Sequence, residues 1–306
     1  MDTILIFRGT SGLNTVDNPR RIAFNGGLSD LRVAVNISIQ QSGTFTRRDG
    51  FKQVASESFH SLFADGSICL GVSDGVLHSI ELDGTYHPIG SGFSDLSVSF
   101  CVAAGAIYYT DSVVFGKVVN GVHDSWSETA DMGPSIPVAG HERTSELVGP
   151  FAGNHLAFFA GRIFIAKENV LFWSEHHNFG KFNLMRSFVQ FNSKIRMIKP
   201  VGTGLFISTE NRVFFLEGKD PGVFMPTVVG NYPALEWSDC ADLIDGSEIG
   251  IENSGICALW NSPEGAIVGT PSGLIINITK DKIVYPENVA KGSSCLFGYN
   301  FIHGSF

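Results

Sequence analysis

The chain has 306 residues, enough to bury a sizeable core in one or two domains. Only 17% of them are charged, against about 25% in an ordinary globular protein, which excludes a disordered chain, a coiled coil and a solvated helical array. The net charge is −9, from 21 Lys+Arg against 30 Asp+Glu, which argues against a basic nucleic-acid reader, because phosphate binding needs clustered positive charge.

Glycine (35) and phenylalanine (25) are abundant, and with many Val and Ile they read as turns and strands rather than helices. Five scattered cysteines, Cys69, Cys101, Cys240, Cys257 and Cys295, form no CxxC pair. They read as small buried hydrophobes in a reducing compartment. The opening Met1–Arg8 has no charged-then-apolar signal layout, and no run nears the ~18 apolar residues of a membrane span. The expectation is a soluble protein made in the cytoplasm.

In chain order, residues 1–30 read as an N-terminal extension. Leu31–Ile39 (LRVAVNISI) and Gly43–Val54 (GTFTRRDGFKQV) read as strands. Then one pattern repeats: three apolar runs separated by short turns. It occupies Phe59–Leu82, Phe100–Val119, Leu156–Trp173, Ile198–Leu216 and Ala258–Ile278, and stops after two runs at Cys295–Phe306. The turns (Asp-Gly, Ala-Gly, Glu-Asn, Pro-Ser-Gly) supply positive φ, as hairpins require. Middle runs such as RIFIA and GLFIS are almost wholly apolar, the pattern of strands buried on both faces.

The repeat starts lie about 41, 56, 42, 60 and 37 residues apart, against ~40–50 for a propeller blade. The predicted fold is an all-β propeller over residues 31–306, with six blades favoured and five or seven left open. The truncated last unit and the N-terminal strands would share one blade and close the ring, removing its open edge. The two long spacings predict loop insertions near 122–150 and 220–252, where function or partner contacts concentrate.

Catalytic constellations are not evident. Asp74, Asp111, Glu175, Glu217 and Glu264 sit at strand ends, where carboxylates read as solvated turn-formers rather than a glycosidase pair. His176 and His177 are adjacent, so on a strand they would point to opposite faces; the other histidines lack metal-ligand spacing. GxSxG, GxGxxG and P-loop patterns are absent. No catalytic residue, metal ligand or cofactor is predicted. Trp126, Trp173, Trp237 and Trp260 could stack on sugar rings, but Trp173 and Trp260 lie inside strand runs and read as core.

An ordered set of motifs carries a resemblance. It runs from Gly12–Arg21 (GLNTVDNPRR) and Leu31–Ile39 to Ser42–Phe51 (SGTFTRRDGF). It continues with Ala160–Ala166, Val170–Glu175, Phe179–Asn183, Gly204–Thr209, Phe215–Pro221, Trp260, Gly265 and Gly273–Thr279. In this order the chain resembles virion structural proteins of tailed phages, namely the propeller proteins of the tail nozzle or packaged-DNA-stabilising position of short-tailed phages. The resemblance implies a non-enzymatic virion part, folded in the host cytoplasm. It would form a ring of copies, six being the expected number, with other tail and adaptor proteins around a channel that double-stranded DNA crosses without sequence-specific contact. An acidic wall fits, since it repels phosphate.

The residues expected at subunit contacts are Arg20, Arg21, Arg47, Arg48, Trp126, His141, Arg143 and Trp237. Two other readings stand beside this one: a carbohydrate-binding or glycan-cleaving propeller for host-surface recognition, and a scaffold for tail fibres.

Overall fold

The structure is a computed structural model that describes residues 10–17, 29–35, 37–39, 44–47, 53, 56–66, 68–81, 83–127, 147–246, 250–251, 255–284, 295–298 and 301–304. Among them the regular structure is strand, apart from one 3-10 turn at Pro221–Val223. Before the first blade come β1 (Thr10–Leu13), β2 (Ser29–Leu31), β3 (Ile37–Ile39) and β4 (Phe45–Arg47).

Five antiparallel sheets follow. Blade one holds β5 (His60–Asp65), β6 (Ile68–Ser73), β7 (Val76–Ile80) and β8 (Tyr86–Ser91). Blade two holds β9 (Ser99–Ala103), β10 (Ala106–Thr110), β11 (Phe115–Val119) and β12 (Val122–Asp124). Blade three has six strands: β13 (Leu147–Val148), β14 (His155–Phe159), β15 (Arg162–Lys167), β16 (Val170–Glu175), β17 (Asn178–Asn183) and β18 (Phe188–Gln190). Blade four holds β19 (Ile195–Val201), β20 (Gly204–Thr209), β21 (Val213–Glu217) and β22 (Thr227–Gly230). Blade five holds β23 (Cys240–Ile244), β24 (Gly255–Ser262), β25 (Gly265–Gly269) and β26 (Ile275–Asn277). A last hairpin joins β27 (Cys295–Gly298) to β28 (Phe301–Gly304).

The leading strands touch in succession: β5 on β9, β9 on β14, β14 on β19, and β19 on β23 and β24. They therefore line the axis, and the architecture is a five-bladed β-propeller. Alternation along the middle strands explains their apolar runs. On β10, Ile107 and Tyr109 pack towards blade one while Tyr108 packs towards blade three. On β15, Ile163 and Ile165 face blade two while Phe164 and Ala166 face blade four. On β20, Leu205 and Ile207 face blade three and Phe206 faces blade five. Each middle strand thus serves two cores at once. A fully buried side chain such as Phe164 or Phe206 contributes about 2–3 kcal/mol of burial. Gly269 lets blades four and five approach: a Cβ there would come within 2.7 Å of Phe206 and 2.9 Å of Trp260.

Five blades replace the favoured six. Among the described residues, β3 pairs with β4 and β27 with β28, and neither hairpin joins the other in a shared sheet. The long spacing before the fifth unit has a matching cause. Its leading strand, β23, lies inside the stretch read as an insertion, so that unit is displaced by one strand. The other expected insertion leaves the described residues after 127 and returns at 147.

The segment before blade one still meets the segment after blade five. Thr15 N–H donates to Lys282 O at 2.8 Å, and Val284 N–H donates to Thr15 Oγ1 at 2.8 Å. Lys282 also pairs with Asp30 at 3.4 Å.

Candidate functional site

The most unusual arrangement lies at the hub, where β14 and β19 begin. His155 opens β14 and is 3% exposed, and its Nε2 has no hydrogen-bond partner. Buried polar atoms are nearly always paired, so this one needs a reason. Burial, the largest influence, pushes its pKa down to about 4; Asp239 and Glu236 pull it up, and Lys194 and Lys199 push it further down. At neutral pH the ring is therefore neutral.

Trp237 covers it, with ring centroids 4.5 Å apart and planes tilted by 36°. Trp237 arrives on a turn in which Ser238 N–H donates to Leu235 O at 3.1 Å. As the third residue of that turn it takes φ +66°, a position that normally selects glycine or asparagine. The turn is pinned from below: Leu235 N–H donates to Asn261 O at 2.7 Å, and Ser238 Oγ donates to Leu235 O at 2.7 Å. Two ion pairs flank the tryptophan, Lys194–Glu236 at 3.1 Å and Lys199–Asp239 at 2.6 Å. A strained aromatic lid over an unpartnered imidazole is a feature of functional or switch-like positions.

A second region lies on the rim of blades three and four. The loop after β21 drives Phe224 onto Phe164 and Trp173. Its neighbours Val223 and Met225 are left 69% and 79% exposed. Trp173 N–H donates to Ser187 O at 3.1 Å, and the same connection carries the exposed Leu184, Met185 and Phe188, the last with its ring 6.2 Å from that of Phe172. Val223 and Met225, which flank the inward Phe224, are the exposed apolar pair of the loop after β21.

The third cluster is the turn between β16 and β17. His176 and His177 occupy that turn rather than a strand, so their rings lie together, 4.1 Å apart, and not on opposite faces. This corrects the strand reading: a residue at φ +52°, His177, breaks the alternation. Burial, then His177 and Arg162, lowers the pKa of His176. Arg162 itself donates to Ser174 O at 2.7 Å and faces Glu175 and Asp220.

Of the expected contact residues, Arg47 is exposed on β4. Trp237 is half-buried at the hub. Trp126 is 3% exposed; its Nε1 donates to Phe179 O at 2.9 Å and its ring meets Tyr108, Phe115 and Phe182, so in the protomer it is core. Arg20, Arg21, Arg48, His141 and Arg143 lie outside the described residues. Trp173 and Trp260 are core, as their strand positions predict, at 5% and 2% exposure.

Asp111 is a turn-former but not a solvated one. It is 1% exposed and accepts from Val113 N, Val114 N, Ser94 N and Ser94 Oγ, locking the connection between blades one and two. Among the described residues no group of three or more His, Cys, Asp or Glu is placed to hold a metal, and no helix is long and apolar enough to cross a membrane.

The five sheets define the class of the chain as a β-propeller. No protein-family model and none of the curated proteins matches it. Among solved structures, the chain is similar to the WD40 domain of Neurospora crassa Pan2, at 9% identity over 78% of this chain and 68% of that one, with a TM-score of 0.47. It is also similar to the extracellular domain of a hybrid two-component system of B. thetaiotaomicron, at 12% identity over 71% of this chain, with a TM-score of 0.45. A chain of a nidogen/laminin complex matches at 11% identity over 81% of this chain and 91% of that one, with a TM-score of 0.45. The chain spans about a quarter, 26%, of the B. thetaiotaomicron chain.

Proposed function

We propose that this propeller is a non-enzymatic structural part of a tailed-phage virion, in the tail nozzle or head–tail connector. It assembles there as a ring of copies, with neighbouring tail proteins, around the DNA channel. The observation that carries the reading is the pair of exposed apolar side chains on the loop after β21. The loop that bears Val223 and Met225 falls in the stretch 220–252 where the sequence places partner contacts, and it holds these side chains out in water. The ordered phage-like motifs supply the assembly, and the net charge of −9 suits a channel that DNA must cross without adhering. Interfaces of this kind are centred on such apolar anchors.

The test is the native mass and electron-microscopic image of the full chain, alone and with tail partners. A closed ring is expected. The double substitution Val223→Glu, Met225→Glu should abolish it while leaving the melting temperature of the protomer within a degree or two, since both side chains are exposed. A monomer in every mixture would overturn the reading.

One observation favours a second reading. Trp126, Trp173 and Trp260 are buried, whereas Trp237 is only half-buried, between Glu236 and Asp239, which pair with Lys194 and Lys199. An aromatic face beside carboxylates is the chemistry of saccharide capture. A glycan array that lights up with wild-type protein and not with Trp237→Ala would favour it over the ring.

A further inference from the structure

We propose that His176 and His177 form a two-imidazole site for a divalent transition-metal cation of the copper, nickel and zinc group. The inference is independent of the virion reading and concerns a turn that no assembly argument needs.

The geometry starts from the backbone. His177 N–H donates to Gly161 O at 2.8 Å, tying the β16–β17 turn to the β14–β15 turn. With His177 at φ +52°, both rings fold over Gly161. The point where a Gly161 Cβ would stand is 2.7 Å from His176 Nε2 and 3.1 Å from His177 Nε2. The two nitrogens therefore both border one spot, at most 5.8 Å apart, with the Cδ2–Nε2 edge of His176 turned to it, above a residue with no side chain. The rings are edge-to-face, at 74°. Imidazole nitrogens bind such cations at about 2.0–2.1 Å, so modest rotation of the two rings brings both lone pairs onto one ion.

Imidazole suits zinc, nickel and copper, and among divalent ions the affinity order places copper highest. Arg162, whose charge also acts on His176, is partly offset by nearby carboxylates. Arg162 is held by Ser174 O at 2.7 Å, and its charge faces the carboxylates of Glu175 and Asp220. Among the described residues no third His, Cys, Asp or Glu completes the set, so the remaining coordination positions belong to water or to a side chain from another molecule.

The experiment titrates the full chain with CuCl2, followed by calorimetry and electron paramagnetic resonance. Wild type should take up one ion at this site, with a spectrum showing two coordinated nitrogens. His176→Asn and His177→Asn should each weaken that binding at least tenfold; asparagine tolerates the positive φ of position 177. Gly161→Ala keeps both imidazoles but puts a methyl group between them, and should also weaken binding severalfold. Melting curves of the metal-free variants show that each one folds. No uptake by wild type, a one-nitrogen spectrum, or binding unchanged in the His176→Asn, His177→Asn double variant would each overturn the assignment. Loss in only one of the single variants would do the same.

Discussion

His155 predicts a specific acid weakness. Its imidazole titrates at 6.5 when solvated and at about 4 in the folded chain, because burial outweighs the pull of Glu236 and Asp239. The folded state therefore refuses a proton that the unfolded chain accepts. Stability contributed by the neutral ring is complete above pH 6.5, drains as pH falls through the window from 6.5 to 4, and is gone below it. At 1.36 kcal/mol for each pH unit, the drop from 6.5 to about 4 corresponds to about 3 kcal/mol. The ring is almost wholly enclosed, so solvent screening does not reduce this much.

The perturbation is His155→Gln, which fills similar space and cannot titrate. Urea unfolding of both proteins, at half-unit steps from pH 8 to pH 4.5, gives their stability difference. Carboxylates elsewhere titrate equally in the two proteins and cancel. Wild type should lose about 2–3 kcal/mol relative to the variant by pH 4.5. A difference that stays constant across the whole range would refute the argument, and with it the claim that Nε2 lacks a partner in solution.

Four further outcomes are expected. Trp237→Gly relieves the positive φ but uncovers His155, so the pKa of His155, read by NMR, should climb from about 4 towards 6.5. Trp126→Ala empties a buried aromatic site and strands the Phe179 carbonyl, and should cost about 3–5 kcal/mol in urea unfolding. Asp111→Ala leaves the Ser94, Val113 and Val114 donors unmatched, and a loss of about 2–3 kcal/mol should appear as a lower melting temperature. Gly269→Ala forces a methyl group against Phe206 and Trp260 and should cost about 1–3 kcal/mol, with Gly269→Ser no better.

Much of the fold was legible because blade strands are buried on both faces. The run Ile163–Ala166 could only be a strand wedged between two cores, and that is where it sits. Strand β23 was not legible. Its sequence, CADLI, carries an aspartate at its centre, and ten residues part it from β24, so neither apolar continuity nor a tight turn marks it. The blade count was therefore the weak point. The missing leading strand and the two terminal hairpins each shift the tally, and only backbone pairing decides which stretches share a ladder.

The hub was invisible for another reason. His155 and Trp237 are 82 positions apart, and their meeting depends on a turn whose sequence, Leu-Glu-Trp-Ser, shows no glycine to announce a positive φ. Glu175-His176-His177-Asn178 hid its turn in the same way. The apolar rim was half legible: spacing located the loop, but composition did not show that Phe224 would turn inward while Val223 and Met225 stayed out.

The hydrogen bonds that join Thr15 to Lys282 and Val284 also set an order in time. These contacts span up to 269 residues, so the first described segment cannot dock until the last blade has been made. At ribosomal speeds of about 5–20 residues per second, that segment waits on the order of 15–50 seconds after it emerges. Blades one to four, each built from neighbours in sequence, can form meanwhile. Docking of the early segment thus follows the making of all five sheets, and a chain stalled just before residue 282 would carry the strands of all five with Thr15 still undocked.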